Sequence, residues 1–215
     1  MKDFLKKWGW IGAACIFLIA AYGLGLVFHQ SEPASSSRED EARMFRELVK
    51  SAEQGDAEAQ FLVAKCYAEG KNVPKDEKEA VKWYQKASDR GNAGAQCSLG
   101  VCYFNGKGVD KDHKKAVQLF ISSADRKYIP ASSNLGVCYY TGSGVARDYV
   151  KAAELFRYAS DNGYVLAQFN LAECYELGRG VEKNLEKAIG LYRKAAAAGI
   201  PAAQRKLQKL RTGKE

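Results

Sequence analysis

Apolar positions along this chain follow two regimes. From Trp8 to Phe28 they run together, 21 residues without a charged side chain. Beyond about residue 40 they recur at helical spacing, in blocks separated by glycine and short charged segments. In the first full block Ala59, Val63, Cys66, Tyr67 and Gly70 share one helical face. A second face follows in Ala80, Trp83, Tyr84 and Ala87. Asp76 stands just before it, where a carboxylate accepts backbone N–H groups, and Glu79 completes a capping-box pattern.

The pair of helices recurs every 36 residues without a gap. Cys66, Cys102, Cys138 and Cys174 mark the period, each followed by tyrosine. Gly70, Gly106, Gly142 and Gly178 keep the interval, as do Ala80, Ala116, Ala152 and Ala188 and the aromatics Tyr84, Phe120, Phe156 and Tyr192. A fixed period of this length predicts a solenoid, because one helix pair cannot bury its apolar face alone and stacked pairs can. Small alanines let neighbouring helices approach closely, with an aromatic ring one turn away filling the remaining space. Asp112, Asp148 and Asn184 repeat the helix start, with Lys115, Lys151 and Lys187 in place of Glu79. Gly55, Gly91, Gly163 and Gly199 close the copies where a helix end needs a left-handed residue. Lys127 breaks that series, at a cost of about 1 kcal/mol if the turn is unchanged.

Glu41 to Gln54 aligns with a second helix lacking its first, and Gly199 to Leu210 with a first helix lacking its second. The expected plan is all-α, about ten helices: a capping helix over 39–54, full repeats over 55–90, 91–126, 127–162 and 163–198, and a capping helix with a basic tail over 199–215.

The apolar stretch 8–28 is long enough as a helix, at about 31 Å, to cross a bilayer. Trp8, Trp10 and Tyr22 suit the headgroup zone. A cleavable leader is the rival, with Ala21-Tyr22-Gly23 as its site, but cleavage would leave Leu24, Leu26, Val27 and Phe28 exposed. A retained single-pass anchor is therefore expected. Lys2, Lys6 and Lys7 in the flank 1–7 place the N-terminus in the cytoplasm and the repeats on the far side, the periplasm in a bacterium. Residues 29–38 are small and polar and are expected to form a flexible linker. Cleavage and secretion, or repeats in the cytoplasm, are the alternatives. Unpaired thiols argue for the latter, since they sit poorly in an oxidising compartment.

Composition adds exclusions. Hydrophobic residues make up 47% of the chain, which excludes a disordered polymer. The net charge of +8 is interspersed. The one basic cluster, Arg205 to Lys214, is a solvated helix cap, and no nucleic-acid partner is expected. The periodic cysteines occupy equivalent sites on successive helices, too far apart for disulfides, and act as small buried thiols. His29 and His113 belong to no zinc-type cluster or nucleophilic triad. Gly106-Lys107-Gly108, Gly142-Ser143-Gly144 and Gly178-Arg179-Gly180 lack the strand and the Gly-Lys-Ser/Thr ending of a phosphate loop and are turns. No catalytic residue, metal, disulfide or cofactor is assigned.

The runs AQCSLGVCYFNGKGVDKDHKKAVQLF and AQFNLAECYELGRGVEKNLEKAIGLYRKAAAAGIPAAQ resemble SEL-one-like repeats, relatives of tetratricopeptide repeats, over roughly residues 40 to 211. The resemblance implies a right-handed α–α superhelix with a concave face and adaptor or scaffold roles, with no shared chemistry. A cysteine-rich secreted branch, described as penicillin-binding or β-lactamase proteins, supplies the alternative of an envelope enzyme. This chain lacks that branch's second cysteine: Ser88, Ala124, Ser160 and Ala196 occupy the matching positions.

A solenoid of this kind presents one extended surface lined by first helices. Its exposed stripe yields a candidate partner-binding set: Leu62, Lys65, Ser98, Val101, Asn105, Asn134, Thr141, Asn170 and Glu173. Asn134 and Asn170 carry both donor and acceptor for a peptide backbone. The expected function is a membrane-anchored protein-interaction scaffold that binds a protein or peptide.

Overall fold

The computed structural model describes residues 34–212, with side chains from Glu39 onward. The apolar stretch 8–28, its basic flank, most of the expected linker and the last residues of the tail lie outside that range. Among the described residues no helix is long and apolar enough to cross a membrane.

Ten helices run in order among these residues: α1 (Ala34–Glu53), α2 (Ala57–Glu69), α3 (Glu77–Asp89), α4 (Ala93–Asn105), α5 (His113–Asp125), α6 (Ile129–Thr141), α7 (Tyr149–Asp161), α8 (Val165–Leu177), α9 (Leu185–Ala197) and α10 (Pro201–Thr212). From α2 onward each packs chiefly on its neighbours in sequence, α2 on α3, α3 on α4 and so on to α10. The architecture is an all-α solenoid of four helix pairs between two single helices.

One boundary differs from expectation. α1 begins at Ala34, inside the segment expected to be a linker over 29–38. A run of serines costs only about 0.5 kcal/mol per residue in a helix, and strong helix formers from Arg38 onward extend α1 backwards through it.

The repeat period is written into the backbone. Asp76, Asp112, Asp148 and Asn184 cap α3, α5, α7 and α9 through side-chain bonds to backbone N–H groups. The backbone N–H of each cap also donates to the carbonyl of the tyrosine after the periodic cysteine, at 2.9 Å in all four copies. The capping box at Glu79 does not close: its carboxylate takes Lys82 Nζ at 2.7 Å. The lysines at that position in later copies lie over the tyrosine rings of their own repeats. Lys115 sits 4.3 Å from the Tyr103 centroid, and Lys151 and Lys187 approach Tyr139 and Tyr175. Those three tyrosines each pack against two successive core clusters, so they join the repeats into one core.

First and second helices bury their surface differently. α3, α5, α7 and α9 are amphipathic, whereas α4 and α6 are apolar or small almost all round. α4, α6 and α8 are each flanked by two second helices, so the hydrophobic gain of about 25 cal/mol per Å² comes from both sides. Cys138 and Cys174 are buried as expected, but Cys66 and Cys102 are only half-buried. The His113 ring stacks on Phe104, with ring centroids 4.8 Å apart.

Two glycine series have separate causes. Gly70, Gly106, Gly142 and Gly178 end the first helices in the left-handed conformation and donate to the periodic cysteine's carbonyl. Gly108, Gly144 and Gly180 press against the backbone carbonyls of Glu77, His113 and Tyr149 in the preceding repeat, where no side chain fits. In the first copy that position is Asn72, exposed and also at positive φ.

Candidate functional site

The first helices line one face, and small residues shape its centre. One position on that face reads Phe61, Cys97, Ser133 and Phe169 through the four repeats. Phe61 packs beside Tyr84 and Phe169 beside Tyr192, with ring centroids 6.0 and 5.5 Å apart. Cys97 puts a thiol where those repeats put a ring, and room opens beside it.

That room is a cavity of 340 Å³. Its floor and walls include Tyr84, Cys97, Ser98, Val101, Pro130, Asn134 and Tyr164. Lys75, Glu77 and Lys107 also line it. A smaller cavity of 190 Å³ is lined by Val101, Phe104, Asn105, Phe120, Asn134 and Val137. Val101 and Asn134 belong to both, so together they form the ridge between them. Asn134 Nδ2 donates to Cys97 Sγ at 3.3 Å, which ties α6 to α4 across the cavity floor. Hollows of 690 Å³ over Val109–Lys115 and 560 Å³ between α7 and α9 are larger but open broadly to solvent, and most of their side chains are charged or polar.

Burial keeps the groups in the larger cavity neutral. The Cys97 thiol is pushed up to about 11, only partly offset by the Asn134 bond, and the Tyr84 phenol up to about 12. Burial also raises Tyr164 and Tyr128, with the Cys97 sulfur acting in the same direction. A thiol raised this far is a poor nucleophile at neutral pH. Charge is confined to the rim. Lys75 pairs with Glu77 at 2.8 Å, and that bond, with the charges of Lys75 and Lys107, holds Glu77 below the usual carboxylate range. Lys107 itself has no carboxylate within ion-pair distance among the described residues. Those residues also contain no group of three or more His, Cys, Asp or Glu side chains placed to hold a metal.

Of the nine residues expected on the face, Ser98, Val101, Asn105 and Asn134 come together around these two cavities. Leu62 is 39% exposed on α2, and Lys65 lies over the Phe61 ring at 5.9 Å. Thr141 is turned onto its own helix, its hydroxyl donating to the Val137 carbonyl at 2.8 Å. Asn170 is half-buried on α8. Glu173 faces Lys206 of α10 at 3.6 Å and is engaged in the C-terminal cap. Tyr84, Cys97, Pro130 and Tyr164 complete the larger cavity and were not in the expected set. Their signal lay in the repeat alignment, as a thiol among phenylalanines and a tyrosine among helix caps.

Comparison with curated protein sequences finds no match. Among solved structures, a Sel1 repeat protein from Oxalobacter formigenes is 31% identical with a TM-score of 0.74, covering 79% of this chain and 67% of that one. The c5321 protein, a protective antigen of uropathogenic Escherichia coli with an SLR fold, is 31% identical with a TM-score of 0.68. That match covers 80% of this chain but 37% of the antigen. The immunity protein Pa5087 of Pseudomonas aeruginosa, 24% identical with a TM-score of 0.53 over 80% of this chain and 69% of that one, shares the fold. The Sel1 repeat model matches residues 57–92, 93–128, 129–164 and 165–200, and by that unbroken series the chain belongs to the Sel1 repeat family.

Proposed function

We propose that this chain is a protein-interaction scaffold that holds a partner polypeptide on the face of its first helices, tethered to a membrane through residues 8–28. The observation that carries the reading is the pair of cavities divided by Val101 and Asn134, uncharged within and lysine-bearing at the rim. Concave, largely apolar surfaces with a few placed polar groups are where proteins take ligands. Sel1 repeat proteins generally work through protein–protein contacts. The raised thiol and phenols favour recognition over catalysis. The tether rests on the uncharged 21-residue stretch, and its orientation on Lys2, Lys6 and Lys7, with the repeats on the far side of the bilayer.

Crosslinking in native membranes followed by pull-down tests the scaffold. A chain carrying Asn134→Ala and Asn170→Ala should lose the captured partner, while Glu154→Ala on α7 should retain it. Equal yields from all three chains overturn the assignment to this face. Protease added to sealed vesicles reads the sidedness: repeats on the far side are cut only when that compartment is opened.

A further inference from the structure

Regular repeats make an irregular residue conspicuous. Asp56 and Asn92 cap α2 and α4, their side chains accepting from Ala59 and Ala95 N–H at 2.8 Å. Tyr128 and Tyr164 hold the same position before α6 and α8, in the same extended backbone conformation, with no side-chain bond to the helix. Giving up such a cap lowers the stability of the helix start. A local rule broken in this way points to a gain elsewhere. Tyr164 supplies a wall of the larger cavity, facing Pro130 and Asn134.

The two cavities share Val101 and Asn134 and so lie side by side, an arrangement that an extended chain can use. Alternate side chains of a strand point to one side, so residues i and i+2 enter adjacent pockets about 7 Å apart while the backbone crosses the ridge between them. Asn134 stands on that ridge. Its Nδ2 is committed to Cys97, which leaves the carbonyl oxygen to accept a peptide N–H. The larger cavity takes a bulky apolar side chain and the smaller one a compact apolar side chain. At the larger cavity's rim Lys75 is paired with Glu77, while Lys107 has no carboxylate within ion-pair distance among the described residues; the rim therefore carries one net positive charge, which selects for a carboxylate beside the bulky residue.

Resting on the scaffold reading above, we infer that the Val101–Asn134 ridge binds an extended acidic peptide segment. The segment carries a carboxylate next to a bulky apolar side chain and a second apolar side chain two positions on. Tyr164 is its specificity-determining wall.

The test uses the purified full chain in detergent and a fluorescein-labelled probe, Gly-Ser-Asp-Phe-Ser-Val-Ser-Gly, read by anisotropy. Saturable binding is expected, weakened about tenfold when the probe's Phe becomes Ala or its Asp becomes Lys. Tyr164→Asn restores the helix cap and removes the wall, so it should raise Tm while weakening the probe about tenfold. Asn134→Ala should weaken it with helicity unchanged. No saturation at millimolar probe, indifference to the Phe and Asp changes, or full binding by a folded Tyr164→Asn chain each overturn the inference. A dimer in sedimentation that Tyr164→Asn dissolves also overturns it, because a second copy then covers the ridge. If the probe fails while native capture still depends on Asn134 and Asn170, the scaffold reading stands and only the peptide chemistry falls.

Discussion

Gly136 and Phe156 leave each other no spare room: a methyl group on Gly136 would lie 2.7 Å from Cε1 of the Phe156 ring. Gly100 and Phe120 stand in the same relation at 2.6 Å. In the outer repeats the matching residues are Ala64 and Ala172, opposite Tyr84 and Tyr192. In the two middle repeats the ring therefore occupies the space that a Cβ takes at this position in the outer ones. Gly136→Ala gains about 1 kcal/mol of helix propensity but overpacks a buried ring at about 1–3 kcal/mol, so a net loss is expected. Gly190→Ala, in α9 with nothing within 4 Å, should gain about 1 kcal/mol. Urea denaturation of the two variants should shift the midpoint in opposite directions.

Gly144 tests the joint between repeats. It has φ +77 and lies against the His113 carbonyl of the preceding copy. Gly144→Ala combines left-handed strain of about 1–2 kcal/mol with a backbone collision, so a loss above about 2 kcal/mol is expected. Neighbour contacts carry a solenoid's cooperativity, and the transition should broaden as well as move. Asn72→Gly, at the corresponding exposed position, should leave the midpoint nearly unchanged.

Lys127 keeps the left-handed turn of its glycine counterparts, with φ 61. The structure shows why a side chain is tolerated there. Gly55 and Gly91 lie against the Arg90 and Arg126 guanidinium groups of the following repeats, whereas the matching residue beyond Lys127 is the shorter Asn162. Lys127→Gly should relieve the strain and stabilise the fold by about 1 kcal/mol in equilibrium denaturation. No gain would mean that the lysine side chain compensates through contacts of its own.

The C-terminal cap should be acid-sensitive. Buried Tyr192 donates to Glu176 Oε2 at 2.5 Å, and Lys206 of α10 donates to the same oxygen at 2.9 Å. Burial alone would raise the Glu176 carboxyl, but the two hydrogen bonds and the Lys206 charge outweigh it and hold the group below its ordinary value. A carboxylate whose folded pKa is depressed adds stability that is fully present above its unfolded value, near 4.3, and fades as pH falls through the folded one. Amide protection in α10, taken relative to intrinsic exchange at each pH, should fall below about pH 4. Glu176→Gln should remove that dependence while raising α10 exchange at neutral pH. An unchanged acid limb in Glu176→Gln would assign the effect to other carboxylates.

Sequence alone determined the helices, their pairing and the family, because each of those depends on periods of 3.6 and 36 residues that a one-dimensional pattern records in full. It also placed Ser98, Val101, Asn105 and Asn134 on a common face. It could not show that Thr141 turns back onto α6, that Glu173 is spent on Lys206, or that α1 reaches back to Ala34. Those outcomes depend on which polar neighbour lies nearer in space, or on small sums of helix propensity. Tertiary structure decided where the face opens. A cavity is the volume that side chains from several helices fail to fill, and here Cys97, Pro130 and Tyr164 leave it unfilled only once α4, α6 and α8 are packed side by side.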